Sequence, residues 1–236
     1  MHARELFQAG RLEEAIESLG AELRSDPADA QRRAFLFELL SFAGNHDRAE
    51  KQLDVLGAGS TQAGIGALTY KAALQADRLR TEMFTQGTLP EGPVPAPVSG
   101  TLNGTPFRSL EDADPRIGAR LEVFAGGQYL WLPLAHVASL RLEPPARLRD
   151  LLWAPAKLLA GPGFRGVELG EVLLPVLTPL AAAHPDPLVR LGRMTVWDAL
   201  PDGRPAPAGQ KLLLVDGEEV SLLEVRELII GPTGDA

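Results

Sequence analysis

Hydrophobic spacing divides the chain in two. Up to about residue 86, apolar positions recur at helical intervals. "AGRLEEAIESL" (9–19) and "AGNHDRAEKQL" (43–53) align at a constant offset of 34, pairing Leu6 with Leu40, Gly10 with Gly44, Ala15 with Ala49 and Leu19 with Leu53. That offset is the period of the tetratricopeptide helix–turn–helix unit. The glycines suit a left-handed helix end, and the alanines suit close helix contact. In "SDPAD" (25–29), Asp26 is read as a cap, with Pro27 at the first helical position and Asp29 three residues past the cap. "TQAGIGALTYKAALQADRLRTEMF" (61–84) predicts a closing helix with glycines weakening its start. Two units are few for a solenoid, so the helices are expected to lean on the neighbouring domain.

After a proline- and glycine-crowded connection (87–106), the period becomes two. "RLEVFA" (120–125) and "QYLWLP" (128–133) flank Gly126-Gly127, which predicts a hairpin. Leu121, Val123, Leu130 and Leu132 share one face, and Phe124, Tyr129 and Trp131 the other, so both faces are expected to be covered. "KLLLV" (211–215) and "EVSLL" (219–223) flank Asp216-Gly217 and predict a second hairpin. Val137, Leu140, Leu142 and Pro144 match Val225, Leu228, Ile230 and Pro232 at an offset of 88. The two hairpin units are therefore either related, forming a small barrel or a continuous sheet, or alike by chance. "RLRDLLWAPAKLLAG" (147–161) has helical spacing that Pro155 breaks or kinks. The expected class is α+β: tetratricopeptide-like helical repeats over 1–86, the connection 87–106, and a mainly β domain with two hairpin units over 107–236.

Composition narrows the function. A net charge of -8 and no basic stripe argue against nucleic acid and anionic membranes as partners. The absence of cysteine removes disulfides, thiolate nucleophiles and cysteine-liganded zinc. The N-terminus lacks the apolar stretch of a signal peptide, and no apolar run nears the roughly 18–20 residues of a membrane span, so a cytoplasmic protein is expected.

Candidate chemistry is sparse. His2, His46, His136 and His184 form no metal-ligand pair by spacing. His184 and Asp186 read as a surface turn, and His136 as a half-buried histidine without a partner carboxylate. "EDADPR" (111–116) lacks the spacing of a calcium loop and reads as a solvated acidic turn. "GPGFRG" (161–166) matches G-x-G-x-x-G but lacks the strand before and helix after that a dinucleotide needs. No catalytic residue, metal or cofactor is assigned.

Several stretches resemble the ImpE family, also called TagJ: "NGTPF" (103–107), "DADPRIGARLEVFAGGQYLWLPLAHV" (112–137), "RLRDLLWAPAKL" (147–158) and "LGRMTVWDAL" (191–200). The resemblance covers nearly the whole chain and is most specific over 112–158. It implies a non-enzymatic adaptor of bacterial type VI secretion. Such an adaptor binds the small contractile-sheath subunit through that subunit's N-terminal helix. It thereby links the subunit to the ClpV-type AAA+ ATPase that disassembles contracted sheath. The chain departs from the family pattern at "VLTPLAAAHPDP" (176–187), which puts contacts made there in doubt. The alternative is a generic repeat scaffold or chaperone with another client.

An adaptor needs an apolar surface for a partner helix. Phe35, Phe37 and Phe42 are candidates, because helical spacing cannot place all three on one narrow stripe and at least one is expected to face outward; packing of all three between the repeats or on the β domain is the competing and favoured role. Tyr129, Trp131 and Trp153 are candidates too, with core or inter-layer packing as the competing and favoured role.

Overall fold

The helical spacing of the first part resolves into α1 (Ala3–Gln8), α2 (Leu12–Ser25), α3 (Ala30–Phe42), α4 (His46–Gly57) and α5 (Thr61–Gln86). The computed structural model describes residues 2–90, 92, 95–161, 163–166 and 169–231. No helix among the described residues is long and apolar enough to cross a membrane. Gly10 and Gly44 take φ of +78° and +65°, each turning the chain between two antiparallel helices. Ala15 and Ala49 are fully buried, and Leu6, Leu40, Leu19 and Leu53 lie in the same core.

The start of α3 differs from the sequence reading. The cap is Asp29, whose carboxylate accepts from the Arg32 N–H at 2.9 Å, and Pro27 falls in the preceding turn. A cap three residues later leaves room for the chain to reverse before α3 begins. The glycines in α5 do not break it. Ser60 caps its start by accepting from the Ala63 N–H at 3.1 Å, and Gly87 ends it in the left-handed region. Twenty-six residues of helix outweigh a local propensity cost of about 1 kcal/mol per glycine.

Gly44 carries a second constraint. A Cβ there would lie 3.1 Å from the Cβ of Ala182, in the segment packed on the α3–α4 turn. Gly44→Ala is expected to lower the unfolding free energy by about 1–2 kcal/mol, measured by urea titration, through positive φ and crowding together.

The second part holds β1 (Gly100–Leu102), β2 (Thr105–Phe107), β3 (Leu110–Asp112), β4 (Arg120–Ala125), β5 (Gln128–Pro133), β6 (Val137–Leu142), β7 (Trp153–Ala160) and β8 (Gly170–Pro175). A single-turn helix α6 (Pro187–Arg190) comes next, then β9 (Val196–Ala199), β10 (Pro205–Ala208), β11 (Leu212–Val215), β12 (Glu218–Ser221) and β13 (Glu227–Ile230). Among the described residues the strands form an eight-stranded sheet in the order β2-β1-β13-β6-β7-β8-β4-β5, a three-stranded sheet β12-β11-β3 and a two-stranded sheet β10-β9. The protein is an α+β chain, helices first and strands after.

Both hairpins form at the expected residues. Gly126, Gly127, Asp216 and Gly217 all take positive φ, as a two-residue type I′ turn requires. In each unit a hairpin leads through a 3₁₀ turn (Leu134–His136; Leu222–Glu224) to a further strand, β6 or β13. These last strands pair antiparallel with Leu140 opposite Leu228, residues that the offset of 88 matches. The register therefore has a local two-fold axis through that pair. Each hairpin ends a strand path: five strands, β6-β7-β8-β4-β5, in one, and six, β13-β1-β2 bending into β3-β11-β12, in the other. At the bend, Asp216 accepts from the N–H groups of Arg108 and Ser109. Pro232, the last residue of the matched set, lies outside the described residues.

The helical reading of 147–161 is wrong. Only Leu148–Leu151 makes a 3₁₀ turn, and the rest is β7. Pro155 sits one residue past the last pair with β6, where one side of β7 is unpaired and a missing N–H is tolerated. Consequently "GPGFRG" comes after a strand, yet β8 and not a helix succeeds it, so no helix N-terminus is offered to a pyrophosphate. Its Pro162 lies outside the described residues.

The chain buries apolar surface in two places. One core lies inside the β region, lined by Leu121, Val123, Leu140, Leu174 and Leu228. The other is shared: α1–α5 pack their apolar stripes with Phe124, Leu152, Trp153 and Leu177 from the β region. The helices thus lean on the outer face of the sheet.

Candidate partner-binding site

The β4–β5 hairpin sits between the two cores. Leu121 and Val123 point into the β core, while Phe124, Tyr129 and Trp131 point at the helices. On that second face lies Glu122, a buried carboxylate. Arg80 of α5 meets it with a two-pronged ion pair: Nε to Oε1 at 2.7 Å and Nη2 to Oε2 at 2.9 Å. Arg80 Nη2 also donates to the Leu177 carbonyl at 2.9 Å. Lys211 Nζ lies 2.5 Å from Glu122 Oε2 and also binds Asp112. Tyr129 Oη donates to Glu122 and accepts from the Trp131 indole N–H. Two cations and two carboxylates therefore neutralise each other in the interior and tie α5 to both hairpin units.

The environment splits the two carboxyls. Burial opposes the Glu122 charge, yet Arg80 and Lys211 outweigh it and hold the carboxyl at about 2. Burial pushes Asp112 up to about 6, with Lys211 offsetting only part and the Glu122 charge adding to the rise. Glu122 thus contributes stability above its ordinary value of 4.5, which is lost as pH falls toward 2. Asp112 acts in the opposite sense, adding stability as pH falls from about 6 toward its ordinary 3.8. The expected contribution of this network rises as pH falls from 7 toward 4.5, is nearly level between 4.5 and 3.8 where the two carboxyls oppose each other, and falls below 3.8. Urea unfolding across that range measures it.

The acidic stretch 111–116 is thus not a solvated turn. Asp112 and Asp114 are buried, and Asp114 is ion-paired to Arg116 at 2.6 Å. The cause is pairing of β3 with β11, which turns Asp112 inward beside Lys211. Among the described residues no group of three or more His, Cys, Asp or Glu could hold a metal ion. His184 is held in a turn: its Nδ1 accepts from the Asp186 N–H, and Asp186 caps α6. His46 Nε2 lies 3.1 Å from Asp77 at the mouth of a small cavity behind α5.

Of the aromatic candidates, Phe37 (1% exposed), Phe42 (1%) and Trp153 (2%) are interior and present no surface. Phe37, Trp153 and Tyr70 of α5 stack with ring centroids 5.8–6.2 Å apart, joining α3, α5 and β7. Phe35 is half-buried against Phe7 at 5.7 Å, under the Arg4 guanidinium. Tyr129 and Trp131 are half-buried beneath the C-terminal half of α5, with Trp131 6.0 Å from Phe84. Layer packing absorbs most of this set.

The open surface lies elsewhere. A groove of about 760 Å³ runs between α5 and the outer face of the sheet. Thr69, Tyr70, Ala72 and Ala73 form one wall, the Gly126-Gly127 turn closes one end, and Pro155, Lys157 and Leu173 lie on the floor. Ala72 continues an apolar stripe up α5 through Leu68 (66% exposed) and Ile65 (64%), at i, i+3 and i+7. Isolated exposed leucines are ordinary, but a stripe at helical spacing that leads into a groove fits another helix. Spacing alone contained this signal; the glycines beside Ile65 obscured it. Arg80 and Lys211, by contrast, carry no local signal of their role.

Residues 104–229 match the family model described as ImpE protein. Over 99% of this chain and 92% of its own length, a Pseudomonas aeruginosa protein named type VI secretion system accessory component TagJ is 36% identical. A crystal structure of protein VPA1032 from Vibrio parahaemolyticus shares the fold, with a TM-score of 0.83 and 20% identity over 98% of both chains. With its β half matched by the family model and its whole length by a relative at this identity, the chain belongs to the ImpE family.

Proposed function

We propose that this protein is a non-enzymatic, cytoplasmic accessory adaptor of type VI secretion. In this reading it binds the N-terminal helix of the small sheath subunit and brings that subunit to the ClpV-type disassembly ATPase. The observation that carries the reading is the near-full-length similarity to a protein named type VI secretion system accessory component. The stripe and groove of α5 support a helical ligand. The partner helix lies along Ile65, Leu68 and Ala72, its apolar face toward the floor of the groove. Among the described residues Lys157 makes no ion pair, so it suits a carboxylate on the partner's polar flank.

We take residues 1–86 as a tetratricopeptide-like unit and 107–236 as the β unit, joined by 87–106. The 34-residue offset, with Gly10 and Gly44 both left-handed and Ala15 and Ala49 both fully buried, supports the first assignment. The test is calorimetric titration of the full chain with the cognate small sheath subunit. Binding is expected, and is expected to vanish when the subunit's N-terminal helix is deleted. Equal affinity for the intact and shortened subunit would refute the reading.

A further inference from the structure

The β9–β10 hairpin stands apart from the other sheets, and its two edges are unlike. The Leu200 N–H donates to the Arg204 carbonyl at 2.8 Å, which sets the alternation of the ladder. Counting inward, Asp198 and Ala206, then Val196 and Ala208, exchange bonds across the pair. Pro205 and Pro207 on β10, and Trp197 and Ala199 on β9, therefore aim their backbone groups outward.

The outer edge of β10 is closed to pairing. Proline removes the donor at both of its outward positions. Farther along, Thr178 bonds Gly209 and the Lys211 N–H donates to the Val176 carbonyl, so that edge is occupied where prolines end. The outer edge of β9 has neither protection. Among the described residues its only strand partner is β10, and no backbone bond reaches the outward side of Trp197 or Ala199. The residues there are exposed, with Trp197 at 43%.

We propose that β9 is a self-association edge, on which β9 of a second copy adds antiparallel with Trp197 opposite the partner's Trp197. Closure argues for a second copy over a strand of some other protein. A foreign strand leaves a new open edge in place of the old one. A second hairpin brings its own proline edge, so the sheet ends at β10-β9-β9-β10 with both outer edges blocked. The register is set by charge. Centring the pair on Asp198 sets that carboxylate against its own copy, which is unfavourable. Centring on Trp197 sets Asp198 against a valine, stacks two indoles across the seam, and leaves outward backbone at positions 195, 197 and 199 to bond in step.

Sedimentation velocity of the full chain over the micromolar range tests this. A reversible dimer is expected, and a monomer at every concentration overturns the proposal. Ala199→Pro removes one outward donor from each copy and is expected to raise the dimer dissociation constant about thirtyfold. An unchanged constant in the folded variant also overturns it. Hydrogen exchange on the unmodified protein needs no variant: the Trp197 and Ala199 amides are expected to gain protection as concentration rises. A dimer without that gain associates through another surface and refutes the assignment. None of these readouts depends on the sheath subunit.

Discussion

Replacing Glu122 with glutamine is expected to lower the unfolding free energy by about 3–5 kcal/mol, the range for breaking a buried ion pair from one side. Arg80 and Lys211 are about 4% and 3% exposed, so neither can turn to water when the carboxylate goes. Asp112 and the more distant Asp77, 3.9 Å from Arg80, then face two interior cations, and one oxygen of the Arg80 fork is replaced by an amide NH2 that cannot accept. The effect belongs to charge balance and not to bulk, since glutamine keeps the shape. A second substitution separates these. Arg80→Met added to Glu122→Gln leaves Lys211 with Asp112 as a neutral pair. The double variant is therefore expected to lose less than the sum of the singles, by at least about 1 kcal/mol in a urea-unfolding cycle. Strict additivity would show that the tetrad does not act as one unit.

Ile65→Glu with Leu68→Glu is expected to weaken binding of the sheath-subunit helix about a hundredfold, a size typical of losing central apolar anchors. Both side chains are about two-thirds exposed, so the unfolding free energy should stay within about 0.5 kcal/mol of the parent. The pairing of large binding loss with small stability loss is the signature of a docking stripe. Phe35→Ala is the informative contrast. That ring packs on Phe7 and Arg4 and does not line the groove, so its loss should leave binding unchanged. Full affinity in the Ile65/Leu68 variant would move the site off α5.

The Glu122 and Ile65/Leu68 variants probe different layers of one arrangement. The tetrad sets how α5 sits on the sheet, and the stripe and groove are the surface that this seating leaves open. The proposed partner helix would read the spacing between α5 and the β7 floor, which neither element possesses alone.

Legibility tracked the range of the interactions. Gly10 and Gly44 announced helix ends, and Gly126-Gly127 and Asp216-Gly217 announced hairpins, because a positive φ within a two- to four-residue turn is a local demand. The alternation of Leu121, Val123, Phe124, Tyr129 and Trp131 gave both faces of β4–β5 correctly, because a strand's side-chain period is local too. The reading failed at 147–161, where leucines at helical spacing became β7. Two neighbouring strands supplied ladder partners that outweighed the spacing of one segment. It failed at Asp112 and Asp114 for a related reason: their burial depends on β11 and Lys211, about a hundred residues away. Phe37, Phe42 and Trp153 took the packing role that the sequence reading favoured over a surface one, but only the structure could decide it, because exposure is not a property of a residue type.

By itself the sequence determined the α-then-β order, the helix turns, the two hairpins and the family. These rest on backbone preferences and short periods that each segment carries within itself. Tertiary structure alone decided that Arg80, Glu122, Lys211 and Asp112 meet, that α5 leaves a groove over the sheet, and that β9 keeps an open edge. Those features arise from contacts between distant segments, and their energies come from desolvation and pairing that exist only once the layers have closed.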